Sequence, residues 1–235
     1  IIPTTYDTGF RAGTNGWKIN NFGSYFSPGG NCLGMSGYAT WYANNRTDNL
    51  HPKYTEQIAT LVATRAHLAQ SQTWGLTEWR NEQKLKAPYI GRLIKAYMSL
   101  LDQPLIFLAG VDGHGKHAMV VYKYDAEKLY FYDVNVRDAE QTVTYDGAAF
   151  GTYSGYNSFG YVALASLGRT EDFADLTTEA VGGFVSSQDI TLTSPEENEE
   201  ITEHKTALTG SLSGSLNDAI KLYTTVKGIG REISV

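Results

Sequence analysis

Three short stretches carry the residue types that acyl-transfer chemistry requires. The first is Gly29-Gly30-Asn31-Cys32-Leu33-Gly34-Met35-Ser36, which holds the single cysteine of the chain. A lone cysteine is either a small buried apolar residue or a reactive thiol. Here two glycines predict a tight turn, and a helical pattern begins at Cys32, which places the sulfur at a helix N-terminus. Unpaired N–H groups and the helix dipole favour an anion there, which moves a thiol towards the nucleophilic thiolate. The backbone N–H of Cys32 would also face an oxyanion forming beside the sulfur. The competing reading is an ordinary Gly-rich loop leading into a helix with a buried Cys.

The second stretch is Gly113-His114-Gly115-Lys116-His117-Ala118-Met119-Val120-Val121-Tyr122. His117 opens an apolar strand, a rigid support for an imidazole base, whereas His114 in its Gly-rich loop reads as a surface histidine. The third is Leu129-Tyr130-Phe131-Tyr132-Asp133-Val134-Asn135, with Asp133 sixteen residues after His117. Asp125 to Lys128 reads as a hairpin turn between the two strands, and a hairpin folds Asp133 back beside His117. A carboxylate there fixes the imidazole tautomer and supports the imidazolium. Asn135 is an alternative orienter, since an amide can do the same. Asp112, His114 and His117 form a loosely spaced set on a Gly-rich loop, a poor metal cage. Neither a metal nor another cofactor is expected.

The elements that must position these groups follow from periodicity. Helices are predicted from Cys32 to about Asn45, with Leu33, Tyr38, Trp41 and Tyr42 on one side, over 54–69 with Ile58, Leu61, Val62 and Leu68, and over 89–101 with Ile90, Leu93, Ile94, Tyr97 and Leu101. Strands are predicted over 104–109, 117–124, 129–134, 142–145 and 161–165. Helices followed by strands predict an α+β fold with helices packed on an antiparallel sheet. Past residue 185 the texture changes to Ile190–Pro195, an acidic run over 196–203, and two further alternating segments, 206–210 and 219–223. Two domains are therefore expected, 1–185 for the chemistry and a β-rich 186–235. The second resembles the opening strands of the immunoglobulin-like modules of bacterial surface enzymes. At about half the usual ~100 residues, it would be truncated, completed by a partner, or a smaller fold.

Bulk properties restrict the partners. The net charge is −6 and no basic patch stands out, which disfavours nucleic acid and anionic membranes. No stretch reaches the ~18 apolar residues of a membrane span. With 16 Tyr and 24 Gly, the composition suits strands joined by tight turns, and an extracellular or cell-surface location is expected. Ile1-Ile2-Pro3 reads as the start of a mature or trimmed chain. Trp17, Phe22, Tyr25 and Phe26 either line a substrate groove or staple the lead-in loop to the core, the second being preferred. Trp74 and Trp79 read as core or rim.

A Gly-Gly-Asn-Cys helix start, an apolar strand after Gln103-Pro104, His-Ala leading a Val-Val-Tyr strand, and a Tyr-Asp strand end together resemble the papain-like cysteine peptidases. The likeness covers about residues 15 to 165 and is nearest to bacterial members of the bacteriocin-leader-processing type. It implies Cys32 as nucleophile, His117 as base and Asp133 as orienter, a peptide or protein substrate, and cleavage through a thioester acyl-enzyme. One element departs from the pattern. Such peptidases place a Gln about six residues before the Cys as the second oxyanion donor, but that position is Phe26 and no Gln precedes Cys32. Asn21 is the substitute, with Ser24, Ser27 and Asn31 as weaker options. Cys-His-Asp in this order also resembles transglutaminases and arylamine acyltransferases, and a degenerate papain-like binding or adhesion protein is a third reading.

Overall fold

A computed structural model describes residues 1–24, 27–71, 86–112, 114–164, 171–182, 189–194, 209–213, 222–226 and 229–233. After a short strand β1 (Tyr6–Asp7) and a single helical turn α1 (Ala12–Asn15), the chain forms three helices: α2 (Cys32–Asn45), α3 (Glu56–Ser71) and α4 (Ala87–Leu101). Strands β2 (Leu105–Val111), β3 (His114–Tyr124), β4 (Lys128–Tyr132), β5 (Glu140–Thr144) and β6 (Ser158–Val162) follow, and then helix α5 (Glu171–Val181). The sheet is antiparallel, in the order β5-β4-β3-β2-β6, and β1 pairs with the far end of β3. The fold is therefore α+β, as the order of elements predicts.

Both faces of the sheet are covered, because alternate side chains of a strand point to opposite sides. Ile106, Ala118, Val120, Tyr122, Tyr132 and Val162 join α2, α3 and α5 in one core. Phe107, Met119, Val121, Leu129, Phe131 and Tyr161 join α4 in the other. A bulge between Val121 and Lys123 switches the alternation, so Tyr124 lies in the second core although Tyr122 lies in the first.

Three expectations change. Helix α2 does not carry one apolar side: Leu33 to Tyr42 are all buried, because the helix is enclosed by the sheet and by neighbouring helices. On α3 the inward residues are Ala59, Val62, Ala63 and Ala66, while Ile58 packs only partly buried at its edge. Small residues are needed there because the two helices approach closely. A Cβ at Gly34 would lie 2.1 Å from the backbone N of His67 and 2.4 Å from its Cα. Helix α5 was not anticipated, although Phe173, Leu176 and Ala180 bury one stripe of it.

The α2–α3 contact gives a stability prediction. Gly34→Ala forces a methyl against backbone, not against a side chain that can rotate away. It should cost ~1–3 kcal/mol, the usual price of overpacking, or roughly 2–12 °C in Tm. Gly13→Ala, whose methyl meets nothing within 4 Å, is the control. Calorimetry of the two variants side by side checks this.

Beyond residue 188 the described strands form two antiparallel pairs, β7 (Asp189–Ser194) with β8 (Thr209–Ser213) and β9 (Leu222–Val226) with β10 (Ile229–Ile233). The expected domain boundary, between residues 185 and 186, lies outside the described residues, as do Tyr25, Phe26, Trp74 and Trp79. Among the described residues no helix is long and apolar enough to cross a membrane.

Candidate functional site

The turn before Cys32 is built by its own polar groups. Ser24 and Ser27 exchange backbone hydrogen bonds at 3.0 and 3.1 Å, and Gly30 N–H donates to the Ser27 carbonyl at 3.0 Å. Gly30 has φ +117°, and a Cβ there would lie 2.6 Å from Nδ2 of Asn21. Both facts call for glycine. Asn31 then serves as the N-cap of α2, and the first helical bond runs from Met35 N–H to the Asn31 carbonyl at 2.9 Å. Cys32 begins the helix half-buried, and its N–H has no acceptor among the described residues.

His117 stands further inside β3 than its sequence predicts. The strand starts at His114, and His117 pairs with Ala109 of β2. The hairpin between β3 and β4 returns the chain as expected, and His117 Nε2 lies 2.7 Å from Asp133 Oδ1. Both side chains are buried, at 4% and 5% exposure. With Nε2 engaged, Nδ1 is the nitrogen left for the sulfur. Burial alone would lower the imidazole pKa, but the hydrogen bond donated to Asp133, contact with Cys32 and the charge of Asp133 outweigh it and push the pKa up to about 9. Burial would likewise raise the Asp133 carboxyl, yet His117, the N–H of Asn135 and the hydroxyl of Tyr153 hold it below the ordinary carboxylate value. The ring is therefore cationic at neutral pH, beside a carboxylate and against a thiol.

Asn135 does not orient the histidine. Its N–H donates to Asp133 Oδ1 at 2.8 Å, and its side-chain Oδ1 accepts from Asn21 Nδ2 at 2.9 Å. Asn21 is fixed at both ends, since its Oδ1 accepts the Asn31 N–H at 2.5 Å. One Nδ2 hydrogen remains uncommitted, next to the residue that precedes Cys32. The weaker oxyanion options are used up in the turn. Ser24 Oγ meets Asn31 Oδ1 at 3.4 Å, Ser27 Oγ donates to the Gly30 carbonyl, and Asn31 Nδ2 donates to Thr64 Oγ1 at 3.2 Å.

Two tyrosines complete the site. The Tyr153 hydroxyl donates to Asp133 Oδ2 at 2.8 Å, and its ring packs edge-on against Phe131. Tyr156 lies over the His117 ring, with centroids 5.9 Å apart and planes 20° apart. Both come from one tight turn, closed by paired hydrogen bonds between Tyr153 and Tyr156. Their sequence signal, two tyrosines flanking Ser154-Gly155, marks a turn and nothing about what the rings touch.

Trp17 is a staple: its Nε1 donates to the Met35 carbonyl at 2.8 Å, and its N–H to Tyr132 Oη at 3.0 Å. Phe22 is exposed and lines a cleft of about 410 Å³ with Lys18, Ile19, Asn20, Tyr54 and Arg137 among its walls. Of the metal candidates, Asp112 Oδ1 accepts from Asn157 Nδ2 at 3.0 Å and His117 faces Asp133; the side chain of His114 lies outside the described residues. Chemically, the arrangement can hold a thiolate–imidazolium pair, with a carboxylate bonded to the ring and the Cys32 N–H at the helix start. Comparison with family models, with curated proteins and with solved structures finds no match for the chain.

Proposed function

We propose that the chain is a papain-like cysteine hydrolase that cleaves peptide or amide bonds through a thioester acyl-enzyme, working outside the cell. The observation that carries this reading is the convergence of Cys32, His117 and Asp133 from three separate stretches of sequence, with His117 Nε2 2.7 Å from Asp133 and the ring held cationic beside the thiol. The order Cys, His, Asp, the helix start at the Cys and the strand under the His support the family. For the β-rich tail we keep the immunoglobulin-like reading as part of the proposal, as a site for a cell-surface partner.

In the proposed reaction the proton of the Cys32 thiol resides on His117 Nδ1. The sulfur attacks the carbonyl carbon, and the negative charge passes to the carbonyl oxygen. The Cys32 N–H and the spare Nδ2 hydrogen of Asn21 receive that oxyanion; each such donor contributes roughly 10²–10³ in rate. His117 returns its proton to the leaving amine as the C–N bond breaks, leaving a thioester on Cys32. Water, deprotonated by the now neutral His117, hydrolyses it to the acid and the free thiol.

Cys32→Ala should abolish hydrolysis of a mixed peptide library, and acid-quenched wild-type enzyme should carry the acyl mass on Cys32. Amine acceptors in the same assay separate hydrolysis from transfer: products joined to the amine in preference to water would move the assignment to an acyltransferase. A protein that forms no adduct and cleaves nothing, with or without Cys32, is a binding protein and not an enzyme.

A further inference from the structure

A cleft walled by the lead-in loop that precedes Cys32 carries two cations and one acid. Its wall is formed by Lys18, Ile19, Asn20 and Phe22 from the lead-in loop, Tyr54 to Glu56 at the start of α3, and Arg137 from the loop after β4. Asn21, between two of these wall residues, joins the cleft to the reacting centre. Its side chain binds Asn31 N–H, one residue before Cys32, and Asn135, two residues after Asp133 and two before Arg137. Asn21 therefore ties the chain that walls this cleft to the segment that carries Cys32.

The cations in the cleft are unneutralised. Among the described residues, neither Lys18 nor Arg137 has a carboxylate within salt-bridge distance. Arg11, Lys53, Arg65 and Lys123, by contrast, each face a carboxylate. Arg137 is also aimed: Nη1 donates to the Lys18 carbonyl at 2.7 Å, which fixes the guanidinium against the Lys18 backbone and leaves its other donors without a partner among the described residues. A guanidinium held this way suits a carboxylate, which it can bind through two parallel hydrogen bonds. The exposed Phe22 ring and the half-buried Tyr54 supply the apolar floor. Tyr54 does so with its hydroxyl already bonded to Tyr38 Oη at 2.8 Å. Glu56 is the single acid on the wall, so the ligand carboxylate belongs at the Lys18–Arg137 end.

We infer that this cleft binds a carboxylate of the substrate close to the scissile bond, and so makes the enzyme selective for acidic peptides. The inference rests on the hydrolase reading for its use in catalysis, but not for binding. The test uses quenched fluorescent peptides that carry Glu, Ala or Lys at each position flanking the cleaved bond, each made as the free acid and as the C-terminal amide. At one position Glu should raise kcat/KM about twofold to fivefold over Ala, the scale of a well-aligned exposed charge pair. Arg137→Glu should reverse the order in favour of Lys, with circular dichroism showing the fold intact. If only free-acid peptides gain, the carboxylate is the chain terminus; if amides gain equally, it is a side chain. Glu no better than Ala in the wild type, or an order untouched by Arg137→Glu, overturns the inference. Should no peptide be cleaved, the hydrolase reading fails by itself. Titration of the Glu peptide into Cys32→Ala then decides the cleft: weaker binding in the Cys32→Ala/Arg137→Glu variant upholds it, and equal binding overturns it.

Discussion

At pH 6.5, His117→Ala is expected to slow alkylation of Cys32 by iodoacetamide about 10²-fold. The estimate follows from the charge on the ring. In the native protein His117 keeps its proton up to about pH 9, so across the neutral range the sulfur faces an imidazolium that stabilises its anion. Without the ring, the sulfur has the helix N-terminus alone. An ordinary thiol, with a pKa of about 8.5, is roughly 1% thiolate at pH 6.5, and only the thiolate reacts. The wild type should therefore be alkylated faster than the variant throughout the range in which the ring keeps its charge. Equal rates for the two proteins at pH 6.5 would remove the ion pair, and with it the proposed mechanism.

The second large effect is expected from Asp133→Ala. With the carboxylate gone, the strongest influence left on His117 is burial, which lowers its pKa. The imidazole pKa should fall, and catalysis should fall by about 10²–10⁴, the range of a general acid–base group. Tyr153→Phe should act more mildly and in the same direction. It removes the donor to Asp133 Oδ2, lets the carboxyl pKa rise, and should cost about tenfold, as for a hydrogen bond to a charged group.

Stability provides a second readout with a defined sign. His117 has a raised folded-state pKa, so its contribution is fully present below the unfolded value of 6.5 and is lost as pH rises through about 9. Asp133 has a lowered pKa, so its contribution is present above the unfolded value of 3.8 and is lost as pH falls through the folded value. The Tm gap between wild type and Asp133→Ala should therefore be widest between pH 4 and 6.5 and narrow above pH 9. A gap that does not vary with pH would mean that Asp133 only fills space and does not hold a charged ring.

The parts of the site that were legible in the sequence are those fixed by short-range rules. A helix starting at Cys32 follows from a glycine turn and an apolar pattern, and its observed limits, Cys32–Asn45, match the reading. The meeting of His117 and Asp133 follows from hairpin geometry, because a four-residue turn leaves little freedom in what the two strands bring together. Even there a limit shows: β3 begins three residues before His117, since Gly113 to Lys116 have too little apolar pattern to mark a strand.

The rest depends on contacts between segments far apart in the chain, which local periodicity does not encode. On paper Asp133 is the preferred orienter and Asn135 the alternative; packing gives the ring to Asp133 and turns Asn135 to Asn21. Tyr153 and Tyr156 sit in a turn that sequence can identify as a turn, yet only the approach of that turn to the β3–β4 hairpin sets them on the carboxylate and the imidazole. The inward face of α3 is made of alanines because α2 comes close at Gly34, a distance no amphipathic pattern reveals. Residue order, then, determined which side chains could meet and at which element ends. Long-range packing decided which of them do, because burial and hydrogen-bond completion are satisfied over the whole molecule and not within any one stretch.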